Sequence, residues 1–364
     1  MLREEFTKTF PAQPDNWVDE TIRNLIQKVA TGAGMSRNLC REEAESGMRL
    51  LLDKKIPDVQ AAVFLVGLRM KRETDEELSG MLDALLTSPP RIFSSTEELL
   101  HISDNYNGYA RYLPVSPFLP PLLASCGVPT LIHGTQGLGP KFGLTASHVY
   151  SSAHVKVDMT TTTAMTSIEN RGWAYIDQTR FHPKLSALLP LRNLIIKRTA
   201  LHTLEGFCCP VQGRKKTHYM GGYVHQNYLP SYLHLARQSG YHSALIVRGL
   251  EGGCIPLLHK RSYFGHYDSS AEDKISHTGH DLLSSSHLQS LRIRKNPKES
   301  LQDCMQYGID ALRGRDSPFR MPLLLTVALV LKHLGRVSSL EEGQALANQK
   351  MKNGQAIEYF NASS

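Results

Sequence analysis

The hydrophobic pattern changes near residue 88, and this change constrains the fold more than any other feature of the sequence. Before it, apolar residues recur at helical spacing within Arg41–Leu52, and Val59–Met70 is apolar almost all round, as a helix buried between neighbours would be. Thr74 then opens a third segment with the spacing of a helix-capping box. After it, short apolar runs alternate with helical segments and end in glycine-rich loops. The pattern predicts a helical N-terminal domain followed by an α/β domain whose sheet is covered on both faces.

The stretch Thr87–Pro90 marks the expected boundary, because it breaks the helical pattern with two adjacent prolines. We therefore expect an irregular lead-in over residues 1–20, a helical domain over 21–88 and an α/β domain over 98–364. The expected strands of the second domain include Pro129–His133, Ala174–Asp177 and Ala244–Val247. Residues 256–298 fit either antiparallel strands or a long excursion, and the sequence leaves both alternatives open.

Apolar runs and cysteines exclude several classes of protein. The longest apolar run, Met321–Leu331, is shorter than the roughly 18 residues of a membrane span. The first ten residues are charged and lack an apolar run, so no secretory signal is expected. Six scattered cysteines without a Cys-x-x-Cys pair argue against a disulfide framework or a structural zinc site. These features predict a cytoplasmic protein with no membrane partner.

The net charge of +7 favours partners that carry negative charge, such as nucleic acid or a phosphorylated small molecule. Many enzymes share such a balance, so the positions of the basic residues matter more than their number. One compact group is Arg214, Lys215 and Lys216, which is expected either on a solvated face or at a nucleic-acid interface.

Two loops are candidate anion sites. The first contains Tyr106, Asn107 and Gly108, and its single glycine argues against a cradle made of backbone amides alone. Its aromatic residues beside Arg111 suit stacking on a base next to a phosphate, and a surface turn with half-buried tyrosines is the alternative.

The second loop follows a predicted strand and runs from His133 and Gly134 to Lys141. Its glycines lack the spacing of the dinucleotide fingerprint, and no Gly-Lys-Ser/Thr triplet follows. An anion site and a simple turn remain equally compatible with this loop.

Basic and acidic residues further along supply the remaining candidates. Arg192, Lys197 and Arg198 would grip a carboxylate or a phosphate, since guanidinium groups bind such anions with two parallel bonds; a solvated basic face is the alternative. Arg248 and Glu251 follow a predicted strand, where ligands bind in open sheets. A single carboxylate such as Glu251 rarely holds magnesium without a further ligand.

Three ordered blocks resemble the anthranilate phosphoribosyltransferase family over about residues 24–360. Residues 39–82 are similar to its small helical domain, residues 180–210 to its substrate-side motif, and residues 338–360 to its last helices. The resemblance implies a helical domain plus a large α/β domain with a central, mostly parallel sheet. It also implies that residues of about 185–210 pack with the helical domain and that the protein is a homodimer.

The chain departs from that family at the residues that bind phosphoribosyl pyrophosphate and magnesium. The family's Gly-Thr-Gly-Gly-Asp loop corresponds to Asn105–Tyr109, and its Lys-His-Gly-Asn-Arg stretch to Ile132–Gln136. The magnesium-binding Asp-Glu pair corresponds to Cys254 and Ile255. Ordinary anthranilate phosphoribosyl transfer is therefore not expected, and no cofactor is expected.

The altered motifs resemble a divergent branch of the family whose members bind nucleic acid with little sequence preference. Its counterparts here include Arg248–Gly252 and His202–Leu204. This resemblance implies a protein that binds nucleic acid or another polyanion through a basic cleft. The alternative is a glycosyl or phosphoribosyl transferase with an altered substrate, in which Glu251 would share in holding Mg²⁺.

Overall fold

The computed structural model describes residues 20–32, 34–87, 89–277 and 285–361. Four N-terminal helices are α1 (Glu20–Val29), α2 (Arg41–Leu52), α3 (Asp58–Lys71) and α4 (Asp75–Leu86). The capping box before α4 is formed, since the Thr74 hydroxyl accepts from the Glu77 amide and the Glu77 carboxylate accepts from the Thr74 amide. Apart from Glu20, which begins α1, the expected lead-in lies outside the described residues.

A seven-stranded sheet forms the centre of the second domain within the described residues, in the order β4-β3-β2-β6-β7-β8-β9. The strands are β1 (Ile92–Phe93), β2 (Glu98–Ser103), β3 (Thr130–Gly134), β4 (Trp173–Asp177), β5 (Val211–Gln212), β6 (Lys216–Tyr223), β7 (Ser243–Arg248), β8 (Tyr263–Asp268) and β9 (Ala271–His277). The neighbouring pairs from β4 to β7 are parallel, whereas β8 and β9 pair antiparallel. β1 and β5 form a separate parallel pair.

Helices cover both faces of the sheet and return at the end of the chain. They are α5 (Leu119–Ser125), α6 (Ala146–Ser152), α7 (Thr161–Arg171), α8 (Gln178–Phe181), α9 (Pro183–Ser186), α10 (Leu189–Ile195), α11 (Leu201–Leu204), α12 (Leu229–Gln238), α13 (Ser285–Ser290), α14 (Pro297–Leu312), α15 (Arg320–His333), α16 (Leu340–Lys352) and α17 (Gln355–Asn361). α15 is buried from Pro322 to Leu331. No helix of the described ranges is long and apolar enough to cross a bilayer.

The three expected strands are present within a residue of their expected bounds, as β3, β4 and β7. Of the two alternatives for residues 256–298, the antiparallel pair is the correct one over β8 and β9. The central strands β2 and β6 lacked a clear apolar signal, because β2 contains His101 and β6 contains Gly221 and Gly222. His101 is nevertheless buried, as the middle of a covered sheet requires.

One apolar cluster joins the helical domain to a face of the sheet. It includes Leu25 and Phe64 of the helical domain together with Leu201 and Phe207. The helices between residues 183 and 204 therefore lie between the two domains. Their positions bring residues 198–206 next to the ends of β2 and β6.

Candidate anion-binding site

A cavity of about 310 Å³ lies where the carboxyl ends of β2, β6 and β7 face the helical domain. β2 and its following loop contribute residues 103–107, β6 contributes Tyr223, and the turn after β7 contributes Glu251. Helix α3 contributes Arg69, which closes the cavity from the side of the helical domain. Ligands bind at this edge in open parallel sheets, so this cavity is the candidate site.

Arg198 is the main cationic group of the cavity. Its guanidinium is largely enclosed, and burial lowers its pKa below the ordinary arginine value. It contacts the Asn107 side-chain oxygen at 3.5 Å, and within the described residues the Glu251 carboxylate acts on it only through its charge, without a direct ion pair. A guanidinium stays charged in proteins, so an enclosed one without an anion favours binding of an anionic ligand.

Three buried polar atoms lie around the same cavity without a hydrogen-bond partner in the part of the chain that the structure describes. They are Asn107 Nδ2, Thr199 Oγ1 and Tyr223 Oη. A buried polar group without a partner costs about 1–3 kcal/mol, so a bound oxyanion that these donors reached after a small side-chain shift would gain from them. The cavity is therefore equipped to hold an oxygen-rich anion.

Glu251 lies in the turn after β7, and both oxygens of its carboxylate already accept hydrogen bonds. One carboxylate oxygen, Oε1, accepts from the Arg111 and Tyr112 amides at 2.8 and 3.0 Å. The other, Oε2, accepts from the Ala110 amide at 3.2 Å and from Lys141 Nζ at 2.9 Å. Burial alone would raise the pKa of this carboxyl group, but Lys141 and the amides outweigh it and leave the pKa below its ordinary value.

The residues at this position do not fit a magnesium ion. All four acceptor positions of the Glu251 carboxylate are engaged, and the neighbouring Cys254 is a buried thiol. Hard cations such as magnesium prefer oxygen ligands. Across the described ranges, no group of three or more His, Cys, Asp and Glu residues is placed to hold a metal. Glu251 therefore acts as a partner of Lys141 in this conformation.

The loop with Tyr106 and Tyr109 differs from its expected role. The Tyr106 hydroxyl bonds to His133 Nδ1, and the Tyr109 hydroxyl donates to Asp104 at 2.7 Å. The two tyrosines are only 5% and 2% exposed, so the prediction that they stack on a base is wrong for this conformation. Gly108 has a φ of +72°, and a Cβ there would lie 2.3 Å from the Gly143 carbonyl oxygen. The loop is therefore a closely packed turn.

The second loop contributes less charge to the cavity than its sequence suggested. His133 is buried, and desolvation lowers its pKa to about 3, so its ring is neutral. Gly134 ends β3 and is buried as well. Lys141 is the remaining cation of this loop, and Glu251 neutralises it at 2.9 Å.

Arg192 does not line the cavity, which corrects its expected role as an anion contact. Its Nη1 and Nη2 atoms donate to the two oxygens of Glu205, both at 2.7 Å, and both side chains are 0% exposed. Gln178 donates to the same carboxylate at 3.0 Å. Glu205 was absent from the sequence prediction, since nothing in its local pattern marks it as the partner of an arginine thirteen residues earlier.

The basic cluster of residues 214–216 lies away from the cavity, so of its two expected places the structure shows the solvated face and not an interface around this cavity. Arg214 and Lys215 precede β6 and Lys216 begins it, whereas Tyr223, at the far end of that strand, lines the cavity. Seven residues at about 3.3 Å per residue separate the two ends by about 23 Å. Arg214 and Lys215 pair with Glu97 at 2.5 and 2.9 Å, and Lys216 lies 3.7 Å from Glu98.

Arg111, Lys197 and Arg248 have more exposed positions. The Arg111 side chain is 69% exposed and lies 3.8 Å from Glu251, at the same end of the sheet as the cavity. Lys197 is exposed and adjoins Arg198 in the chain. Arg248 ends β7 and is half-buried, but it does not belong to the cavity lining.

The sequence did not identify the wall that the helical domain and α12 contribute. Arg69 of α3 donates to the Tyr228 hydroxyl at 2.7 Å and lies 3.6 Å from Glu73. Tyr232 continues the same wall from α12. These residues lie far apart in the chain, so only the folded arrangement shows that they share a cavity with Arg198.

Comparisons with known proteins agree with this architecture. Residues 23–88 match the helical bundle domain of a glycosyl transferase family, and residues 110–357 match its α/β domain. An uncharacterized protein of Aquifex aeolicus is 27% identical over 89% of this chain and 97% of its own length. The anthranilate phosphoribosyltransferase of a Bradyrhizobium species is 24% identical over 93% of this chain and 96% of its own.

Solved structures show the same fold. The anthranilate phosphoribosyltransferase of Thermus thermophilus superposes with a TM-score of 0.73 at 18% identity, covering 95% of this chain and 98% of that one. The Saccharomyces cerevisiae enzyme in complex with phosphoribosyl pyrophosphate and magnesium also gives 0.73, at 15% identity over 95% and 98%. The predicted fold class is thereby confirmed. The chain belongs to the glycosyl transferase family that includes the anthranilate phosphoribosyltransferases.

Proposed function

We propose that this protein binds a phosphate-bearing ligand in the cavity between its domains, with Arg198 as the principal anion contact. The single observation that carries this proposal is the enclosed Arg198 guanidinium, which has no carboxylate partner within the described ranges. The unpaired atoms of Asn107, Thr199 and Tyr223 around it support the same ligand class. Charge-assisted bonds to phosphate are about twice as strong as neutral ones.

We infer further that ordinary anthranilate phosphoribosyl transfer is not its activity. Arg192 was expected to grip a carboxylate or a phosphate, but both of its terminal nitrogens are already bonded to Glu205. The acceptor positions of Glu251 are engaged by Lys141 and three amides, so magnesium would have to displace those donors. At these positions, therefore, no arginine is free to bind the carboxylate of anthranilate and no carboxylate is free to bind magnesium.

Nucleic acid is the phosphate-bearing ligand that we propose first. Arg111 and Lys197 are exposed, Arg111 beside Glu251 of the cavity and Lys197 next to Arg198 in the chain, and the net charge is +7. A nucleic-acid backbone that passes these residues while one phosphate binds Arg198 would make about three contacts. A phosphorylated small molecule is the alternative source of the same chemistry.

A transferase with an altered acceptor is the second candidate function. Two tyrosines of the cavity favour it, because Tyr228 and Tyr232 are only partly buried and offer ring surfaces to an aromatic or sugar group. Such an enzyme would act chiefly by positioning its substrates and by electrostatic stabilisation.

A side-by-side titration distinguishes these ligands. A labelled single-stranded oligonucleotide, and separately phosphoribosyl pyrophosphate with magnesium, are titrated against the protein at about 50 and 200 mM salt. Three phosphate contacts give a log–log slope of about −2, so oligonucleotide affinity is expected to fall by about 15- to 20-fold between the two salts. Binding of phosphoribosyl pyrophosphate without oligonucleotide binding would favour the transferase. Binding of no phosphate-bearing ligand at low salt would contradict the proposal.

We also propose that the protein forms a homodimer through the outer face of α1, α3 and α10. An apolar groove there is lined by Val29, Val63, Met70 and Ile195 among others. Met70 and Leu194, the residue before Ile195 in the chain, are each 78% exposed, and exposed apolar patches of this kind commonly mark interfaces.

The substitution Met70→Lys tests this dimer. It places a charge on the apolar groove, so sedimentation is expected to show a monomer where the unmodified protein sediments as a dimer. Ile275→Lys is the matched control, because Ile275 is 67% exposed but lies on β9. An unmodified protein that is monomeric at all concentrations, or a Met70→Lys variant that remains dimeric, would overturn the proposed interface.

A further inference from the structure

Three consecutive backbone amides converge on a single carboxylate beside the cavity. The amides of Ala110, Arg111 and Tyr112 donate to Glu251 at 2.8–3.2 Å, and the Lys141 ammonium donates at 2.9 Å. Successive amides that point to one centre form an anion-binding nest, and a lysine beside them adds the charge that phosphate needs. The arrangement is that of an anion-binding site in which the bound anion is the Glu251 carboxylate of the same chain.

The turn that carries Glu251 has an unusual backbone. Glu251 has a φ of +51°, which is unfavourable for a residue with a side chain, and the following Gly252 has a φ of +90°. Gly249 and Gly253 flank them, so the turn has several positions able to change conformation. The Asn105 side chain also donates to the Glu251 carbonyl oxygen at 3.0 Å. Contacts with the 105–112 loop and Lys141 therefore help to hold the turn in this conformation.

Glu251 also lines the cavity that contains Arg198. Withdrawal of its side chain would thus open the nest towards the ligand and leave Lys141 without its carboxylate. An incoming phosphate would replace the lost bonds to the amides and to Lys141 one for one. Lys141 would then again have an anion beside it.

We propose that the amides of residues 110–112 and Lys141 form a second anion site, which takes a phosphate group of the ligand when Glu251 withdraws. Glu251 is thus an internal competitor that keeps the site closed. The identity of the anion rests on the proposed function, whereas the nest and its occupant are independent of it. Because a tethered carboxylate competes at high effective concentration, the unmodified protein binds free phosphate at this site only weakly.

The substitution Glu251→Ala tests the proposal with inorganic phosphate as the probe. The variant leaves the three amides and Lys141 without an anion, so phosphate is expected to bind at least about tenfold more tightly than to the unmodified protein, which corresponds to one charge-assisted bond. Calorimetric titration measures the affinity, and the backbone amide resonances of residues 110–112 locate it. Equal phosphate affinity in both proteins, or resonances at 110–112 that do not move, would overturn the proposal.

Two further variants make the result decisive. Glu251→Gln keeps the shape of the side chain but removes its charge, so it is expected to give an intermediate affinity and covers the case in which the alanine variant does not fold. In Glu251→Ala/Arg198→Met the gain in phosphate binding is expected to persist, since the nest does not include Arg198. Loss of the gain in that double variant would place the phosphate at Arg198 and refute the second site. If instead the proposed function is wrong, the single variant Arg198→Met will bind the oligonucleotide as tightly as the unmodified protein does.

Discussion

Replacement of Glu205 by alanine is expected to lower the free energy of unfolding by about 3–5 kcal/mol, the usual cost of breaking a buried ion pair from one side. Arg192 would keep its charge, because a guanidinium does not lose its proton in proteins. Its side chain is 0% exposed, so water cannot replace the two bonds of 2.7 Å that it loses. The Gln178 side chain, which donates to the same carboxylate, would lose that acceptor too.

Thermal unfolding measures this effect, and two comparisons isolate its cause. The exposed Glu97→Ala variant breaks the contacts to Arg214 and Lys215 and is expected to cost less than about 1 kcal/mol. The double variant Glu205→Leu/Arg192→Met removes both charges and is expected to recover most of the stability lost in Glu205→Ala. A Glu205→Ala protein as stable as the Glu97→Ala control would show that Arg192 finds another partner.

The buried pair also shows where inference from the sequence ends. Arg192 and Arg198 are six residues apart and were both expected to contact one ligand. In the structure Arg192 is buried against Glu205, whereas Arg198 lines the cavity. Spacing along the chain fixes which residues are neighbours but not the direction in which each side chain points. The sequence therefore offered Arg192 and Arg198 alike and could not show that only Arg198 lines the cavity.

Local signals gave the elements that were predicted correctly. α2 follows from helical spacing within twelve residues, and β3 and β7 follow from short apolar runs before glycine. Long-range partners carry no such signal: Glu251 was found as a candidate, but its amide partners lie about 140 residues earlier in the chain. The sequence thus predicted the scaffold and several cavity residues, while the pairing that decides which charges are free required the fold.

The substitution Arg198→Met should weaken binding of the phosphate-bearing ligand by about 10- to 150-fold, the equivalent of one charge-assisted contact of about 1.5–3 kcal/mol. The salt dependence of binding should also become weaker: if the ligand is a single strand, the slope of log affinity against log salt concentration should decrease in magnitude by about 0.7.

The Arg198→Met substitution should not lower the thermal stability of the protein, in contrast to Glu205→Ala. Arg198 has one long contact to Asn107 and no carboxylate partner within the described residues, so its removal relieves an enclosed charge and should leave the melting temperature unchanged or higher. The control Arg214→Met removes a cation at the other end of β6 and should leave both the affinity and its salt dependence nearly unchanged. A folded Arg198→Met protein that binds oligonucleotide as tightly as the unmodified chain would show that the cavity is not where the phosphate binds.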